Sequence, residues 1–150
     1  MIYSNKNQFF QKCDECNRYG IEIYIVGMGK AGTAIGKTLD EKNIVWAGYV
    51  DKYRWSDKKT VDKQILSYSE VRDKEAFLII SSNIYMEGMK KDLCEAGICD
   101  ENNIAILSED VNEDLTSFKG FQYSYRGHRA MQYLLQNFEF LTVLDVGCGQ

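Results

Sequence analysis

The chain has 150 residues, 45% hydrophobic and 27% charged, a balance that fits one folded globular domain and is too apolar for a disordered segment. Its net charge of −4 argues against a general nucleic-acid or anionic-membrane surface, both of which need clustered Lys and Arg. No apolar run approaches the roughly 20 residues of a membrane span, and the polar start from Met1 to Asn7 is unlike a signal peptide, so a cytoplasmic protein is expected.

In chain order, Phe9, Cys13 and Cys16 recur at offsets of four and three, which predicts a short amphipathic helix over 7–19 that stops at Gly20. The run Ile21 to Val26 is β-branched and bounded by Gly27, the pattern of a buried strand. Ala31, Ala34, Ile35 and Leu39 keep helical spacing over 30–42, with Asn43 as the end. Ile44 to Val50 reads as a second strand closing on Asp51, and 51–63 as a polar loop. A short strand at 64–68 precedes a turn of helix capped by Ser69. Ala76 to Ser81 is the clearest central strand. Met86, Met89, Leu93 and Ala96 mark a helix ending at Gly97, and Asn103 to Leu107 a further strand. The acidic stretch 108–117 reads as a linker. Beyond it Met131, Leu134, Leu135 and Phe138 fit a helix, and Leu141 to Val146 a strand.

Strands alternating with helices predict an α/β fold, a three-layer Rossmann-like domain with a mostly parallel sheet, plus a C-terminal helix and strand. The expected organisation is an N-terminal helix over 1–20, a nucleotide-binding domain over 21–107, and a linker leading into a further domain over 108–150.

Gly27-Met28-Gly29-Lys30-Ala31-Gly32 places glycines at positions one, three and six, between a predicted strand and a predicted helix. The first lets the strand turn sharply, the second lets backbone approach a pyrophosphate, and the third lets helix and strand pack closely. The free amides and positive end of the helix then face the anion, with Lys30 beside it. Asp51, 19 residues after Gly32, stands where a carboxylate would accept hydrogen bonds from ribose hydroxyls. That carboxylate repels a 2′-phosphate, while Lys52 and Arg54 close by would partly offset it, so NAD is only slightly favoured over NADP. Ser81, with Ser82 and Asn83, follows the central strand as either a second ligand contact or a helix cap.

Residues 23–32, with Gly48-Tyr49-Val50-Asp51 and the Ile65 to Glu70 segment, resemble a group of small Rossmann-like domains in bacterial sugar-modifying proteins. That group includes the N-terminal domains of some sugar acetyltransferases and nucleotide-sugar dehydratases. The resemblance spans about Ile21 to Leu107 and implies a small-molecule nucleotide ligand, NAD or a nucleotide-sugar; in some members none is detectable.

Val143-Leu144-Asp145-Val146-Gly147-Cys148-Gly149 resembles the first motif of class I S-adenosylmethionine-dependent methyltransferases. The resemblance implies that Asp145, Gly147 and Gly149 belong to a cofactor loop, and that the chain is the N-terminal piece of a longer methyltransferase acting on a sugar or related metabolite. Such a piece is not expected to catalyse methyl transfer by itself. Short-chain dehydrogenases share the opening fold, but their Tyr-x-x-x-Lys pair is absent here. A ligand-free interaction or dimerisation module with a degenerate Rossmann fold, acting as a homodimer, is the alternative.

Five cysteines, an odd number, imply reduced thiols. Cys13-x-x-Cys16 reads as helix-face core because no second pair lies at zinc-ligand spacing. His128, beside Arg126 and Arg129, reads as a solvated basic patch.

Overall fold

A computed structural model describes residues 1–53, 62–82 and 85–116. Six strands form one all-parallel sheet: β1 (Ile2–Tyr3), β2 (Glu22–Val26), β3 (Gly48–Val50), β4 (Gln64–Leu66), β5 (Ala76–Ile80) and β6 (Ile104–Leu107). Their order across the sheet is β1-β6-β5-β2-β3-β4. The helices are α1 (Lys6–Tyr19), α2 (Lys30–Glu41), α3 (Tyr68–Arg72), α4 (Met86–Glu95) and α5 (Glu109–Thr116). This is the three-layer Rossmann-like α/β arrangement that the alternating pattern predicts.

Period-two alternation splits the strands between two cores. Ile23, Ile25, Phe77 and Ile79 join Phe9, Cys13 and Cys16 of α1, Ile35 and Leu39 of α2, and Val111 and Leu115 of α5 on one face. Tyr24, Val26, Leu78 and Ile80 join Val71 of α3 and Leu93 of α4 on the other. Both faces are covered, so β5 is buried along its whole length, as a central parallel strand must be.

The division of helices follows from handedness. From β2 the chain steps through α2 to β3 in one direction; from β4 it steps back through α3 to β5 and through α4 to β6 in the other. Right-handed crossovers moving in opposite directions place their helices on opposite faces. The reversal makes the carboxyl ends of β2 and β5, which are neighbours paired Val26 to Ile80, the topological switch point of the sheet.

Three expectations are corrected, and one strand is added. The strand predicted over 44–50 is limited to Gly48–Val50. Ile44 and Trp46 are buried, but the backbone of Val45 bonds the Asn17 side chain in both directions, at 2.7 and 2.8 Å, instead of a neighbouring strand. Helix α3 is capped by Ser67, not Ser69: Ser67 and Glu70 form a reciprocal capping box. The supposed linker at 108–117 holds α5, which buries Val111 and Leu115. Strand β1, for which no expectation was drawn, pairs with β6, and its Tyr3 ring meets Phe9 edge-on at 5.8 Å.

The helix over 7–19 is present, with Phe9, Cys13 and Cys16 buried and Gly20 left-handed at its end. Asn43 adopts φ 57° after α2. No described helix is long and apolar enough to cross a membrane.

Candidate functional site

The glycine loop leaves β2 at the switch point, so its backbone lies where open α/β sheets bind ligands. Gly27 turns the chain at φ 91°, a left-handed conformation that favours glycine. Its amide donates to the Val50 carbonyl at 2.8 Å, extending the β2–β3 pairing into the turn. A Cβ here would lie 2.9 Å from both Ser81 Oγ and Met89 Cε. Gly32 is required more strictly: a Cβ would come within 2.0 Å of the Gly27 carbonyl oxygen. The first turn of α2 thus packs directly on the end of β2, the close approach that the third glycine of the motif serves.

Gly29 is different. It is the N-cap of α2, with extended backbone and no side-chain cap, and a Cβ placed on it would meet nothing within 4 Å. The loop surface at Gly29 is therefore open. The first intrahelical bond runs from the Thr33 amide to the Gly29 carbonyl at 3.0 Å. The amides before Thr33 belong to the first turn, which the helix itself cannot satisfy. No acidic residue occupies that turn, and Lys30, the first residue of the helix, is exposed. Positive dipole, open backbone and an exposed ammonium coincide at one spot, an arrangement that attracts an anion.

Asp51 comes to the loop as its position in the sequence implies, but it holds structure there. Its Oδ2 accepts from the Met28 amide at 2.9 Å, and its Oδ1 accepts from the Tyr53 amide at 2.9 Å. The carboxylate ties the end of β3 to the middle of the glycine loop. A ribose hydroxyl reaching it would share acceptor sites with these amides. The adjacent Lys52 is engaged elsewhere, donating to Asp92 at 2.9 Å; that bond raises its pKa.

Ser81 is only 3% exposed, and its hydroxyl donates to the Val26 carbonyl at 2.7 Å, with the Gly27 carbonyl at 3.3 Å. It braces the loop from β5. Ser82 lies nearby, its Oγ accepting at 3.3 Å from the amide of Tyr85, the N-cap residue of α4, which itself has no side-chain cap. Two residues that sequence reasoning did not place here complete the setting. Met89 of α4 lies beside Gly27, and Asn112 of α5 donates to the Ser81 carbonyl at 3.3 Å. Met89 carried a helical-period signal that gave no hint of its neighbour, and Asn112 was hidden in the stretch read as a linker.

The structure thus brings Gly27, Gly29, Lys30, Gly32, Asp51 and Ser81 to one end of the sheet. Asp145, Gly147 and Gly149 lie outside the described residues, as do Asn83, Arg54 and His128. Cys13 and Cys16 are core residues, and burial pushes both thiols up. No group of metal-ligating side chains occurs among the described residues. No protein-family profile and no characterised protein sequence matches the chain.

Proposed function

We propose that this domain binds the phosphates of a nucleotide-type ligand, NAD or a nucleotide-sugar, over the glycine loop between β2 and α2. The observation that carries the reading is the contrast within the loop. Gly32 is fixed by packing on the Gly27 carbonyl, whereas Gly29 faces open space at an uncapped helix start. Packing requires the third glycine but gives no reason for the second, and an approaching phosphate does. Asp51 favours a ligand without a 2′-phosphate, because Lys52 is held by Asp92 and does not offset the carboxylate. The domain binds or presents its ligand and is not itself a catalyst. In a longer methyltransferase parent, Asp145, Gly147 and Gly149 would belong to the S-adenosylmethionine loop; methyl transfer lost on replacing Asp145 would test that part.

A rival reading, a ligand-free interaction or dimerisation module, is favoured by one feature: the Asp51 carboxylate already satisfies the Met28 amide. Thermal unfolding in the presence of NAD and of UDP-sugars separates the two. A ligand at about 100 times its dissociation constant stabilises the fold by about 2.7 kcal/mol. The proposal expects a shift with one of these ligands that Gly29→Val abolishes while the protein remains folded. The absence of any shift at millimolar concentration overturns it and leaves the interaction module.

A further inference from the structure

At the opposite end of α4 from the glycine loop, two further cysteines come together. The last turn of the helix carries Cys94, and the chain then reverses: Gly97 adopts φ 86°, and the Ile98 amide donates back to the Leu93 carbonyl at 2.9 Å. This turn returns Cys99 to the helix end, where its thiol approaches the Cys94 carbonyl at 3.5 Å. Both side chains are exposed and unbridged. They therefore differ from Cys13 and Cys16, which are in the core and shielded from solvent reagents.

We propose that Cys94 and Cys99 form a modification site, a dithiol that a hydroperoxide converts to a reversible disulfide. The neighbouring Cys99 thiol, with partial desolvation, pushes the Cys94 thiol up. Either exposed thiol can react first, and the other then resolves it. In the first step one of the two sulfurs, as its thiolate, attacks the peroxide oxygen; the O–O bond breaks and the leaving oxygen, taking up the proton that the thiol released, departs as water or an alcohol, giving a sulfenic acid. In the second, the other sulfur attacks the sulfenic sulfur, the S–S bond forms, and the sulfenic hydroxyl leaves with the second thiol's proton as water. The dithiol loses two electrons and the peroxide gains them. The Cys94 carbonyl accepts from the Gly97 amide at 2.9 Å and is also the atom that the Cys99 thiol approaches, so the turn at Gly97 brings both residues to the same helix end.

The test treats the full chain with hydrogen peroxide, alkylates the remaining thiols and digests with trypsin. Residues 92–119 form one tryptic peptide that contains both cysteines and no other, while Cys13 and Cys16 lie together on residues 13–18. The expected result is peptide 92–119 lighter by two hydrogens, unalkylated, and returned to two alkylated thiols by dithiothreitol, with peptide 13–18 unchanged. In Cys94→Ser the Cys99 sulfur should instead carry one or more oxygens. Two freely alkylated thiols in peptide 92–119 after peroxide would overturn the proposal. So would sulfinic or sulfonic acid without a disulfide in the unsubstituted chain, or a disulfide linking two chains.

Discussion

Gly29 and Gly32 belong to the same loop, yet different demands hold them there. Gly32→Ala puts a methyl group into the Gly27 carbonyl oxygen, a backbone atom that cannot rotate away. Overpacking of this kind costs about 1–3 kcal/mol or more, and here the unyielding neighbour favours the upper end. Gly29→Ala meets open space at φ −78°, which alanine adopts without strain. Its cost should be about 1 kcal/mol, since only alanine's poorer N-cap preference counts against it. Urea midpoints at unchanged m-value should therefore separate the two variants, whereas both should lose the ligand-induced shift. The motif's spacing made the glycines legible in the sequence. The work of the Ser81 hydroxyl was not legible, because its target carbonyls are more than 50 residues away and are adjacent only once β2 and β5 pair.

Among the elements, α5 shows why composition misleads. Glu109, Asp110, Glu113 and Asp114 make the segment look like a solvated linker, but acidic residues in a first turn also complement the helix dipole. Val111 and Leu115, spaced by four, are its buried stripe, and Thr38 of α2 donates to the Leu115 carbonyl at 2.7 Å. Leu115→Ala should destabilise the protein by about 2–5 kcal/mol in denaturant unfolding. A linker residue would change stability by no more than about 0.5 kcal/mol. For α3 the sequence held the right signal, Ser67-x-x-Glu70, and the neighbouring Ser69 distracted from it. Ser67→Ala removes both the acceptor for the Glu70 amide and the hydroxyl's bond to the Glu70 carboxylate. That should cost about 1 kcal/mol, with the loss of amide-exchange protection concentrated in the first turn of α3. The strand expected over 44–47 failed for a similar reason. Burial of Ile44 and Trp46 was readable, but only tertiary structure shows that Asn17 takes the backbone bonds.

At the scale of the whole molecule, the layered class was legible because periods of two and 3.6 alternate along the chain. The strand order was not, since pairing is non-local and neither the two-residue β1 nor its place beside β6 leaves a periodic trace. The fold that results buries or half-buries Tyr3, Tyr24, Tyr49 and Tyr68, and this sets a limit at high pH. Tyr3, Tyr24, Tyr49 and Tyr68 all have raised pKa values, with burial the first cause in each. Tyr68 is pushed up to about 12, with Asp92, Asp51 and Tyr53 adding to the effect of burial. An unfolded tyrosine ionises near pH 10. Between about pH 10 and 12 the unfolded chain has therefore released a proton that the folded Tyr68 retains. The unfolded state then binds fewer protons, so stability falls as pH rises. The Tyr68 contribution is fully present below pH 10 and lost progressively through the folded value, and the other three phenols act in the same direction. Urea midpoints measured from pH 7 to 11.5 should decline gently from about pH 8.5, where the unfolded Cys13 and Cys16 thiols ionise while burial keeps the folded ones protonated, and drop more steeply above about pH 10. Tyrosinate absorbance should lag behind that of a fully unfolded control until the protein opens. Tyr68→Phe should make the decline shallower by removing one of the coupled ionisations. An equally steep decline in that variant would show that Tyr68 ionises in the native fold as readily as in the unfolded chain.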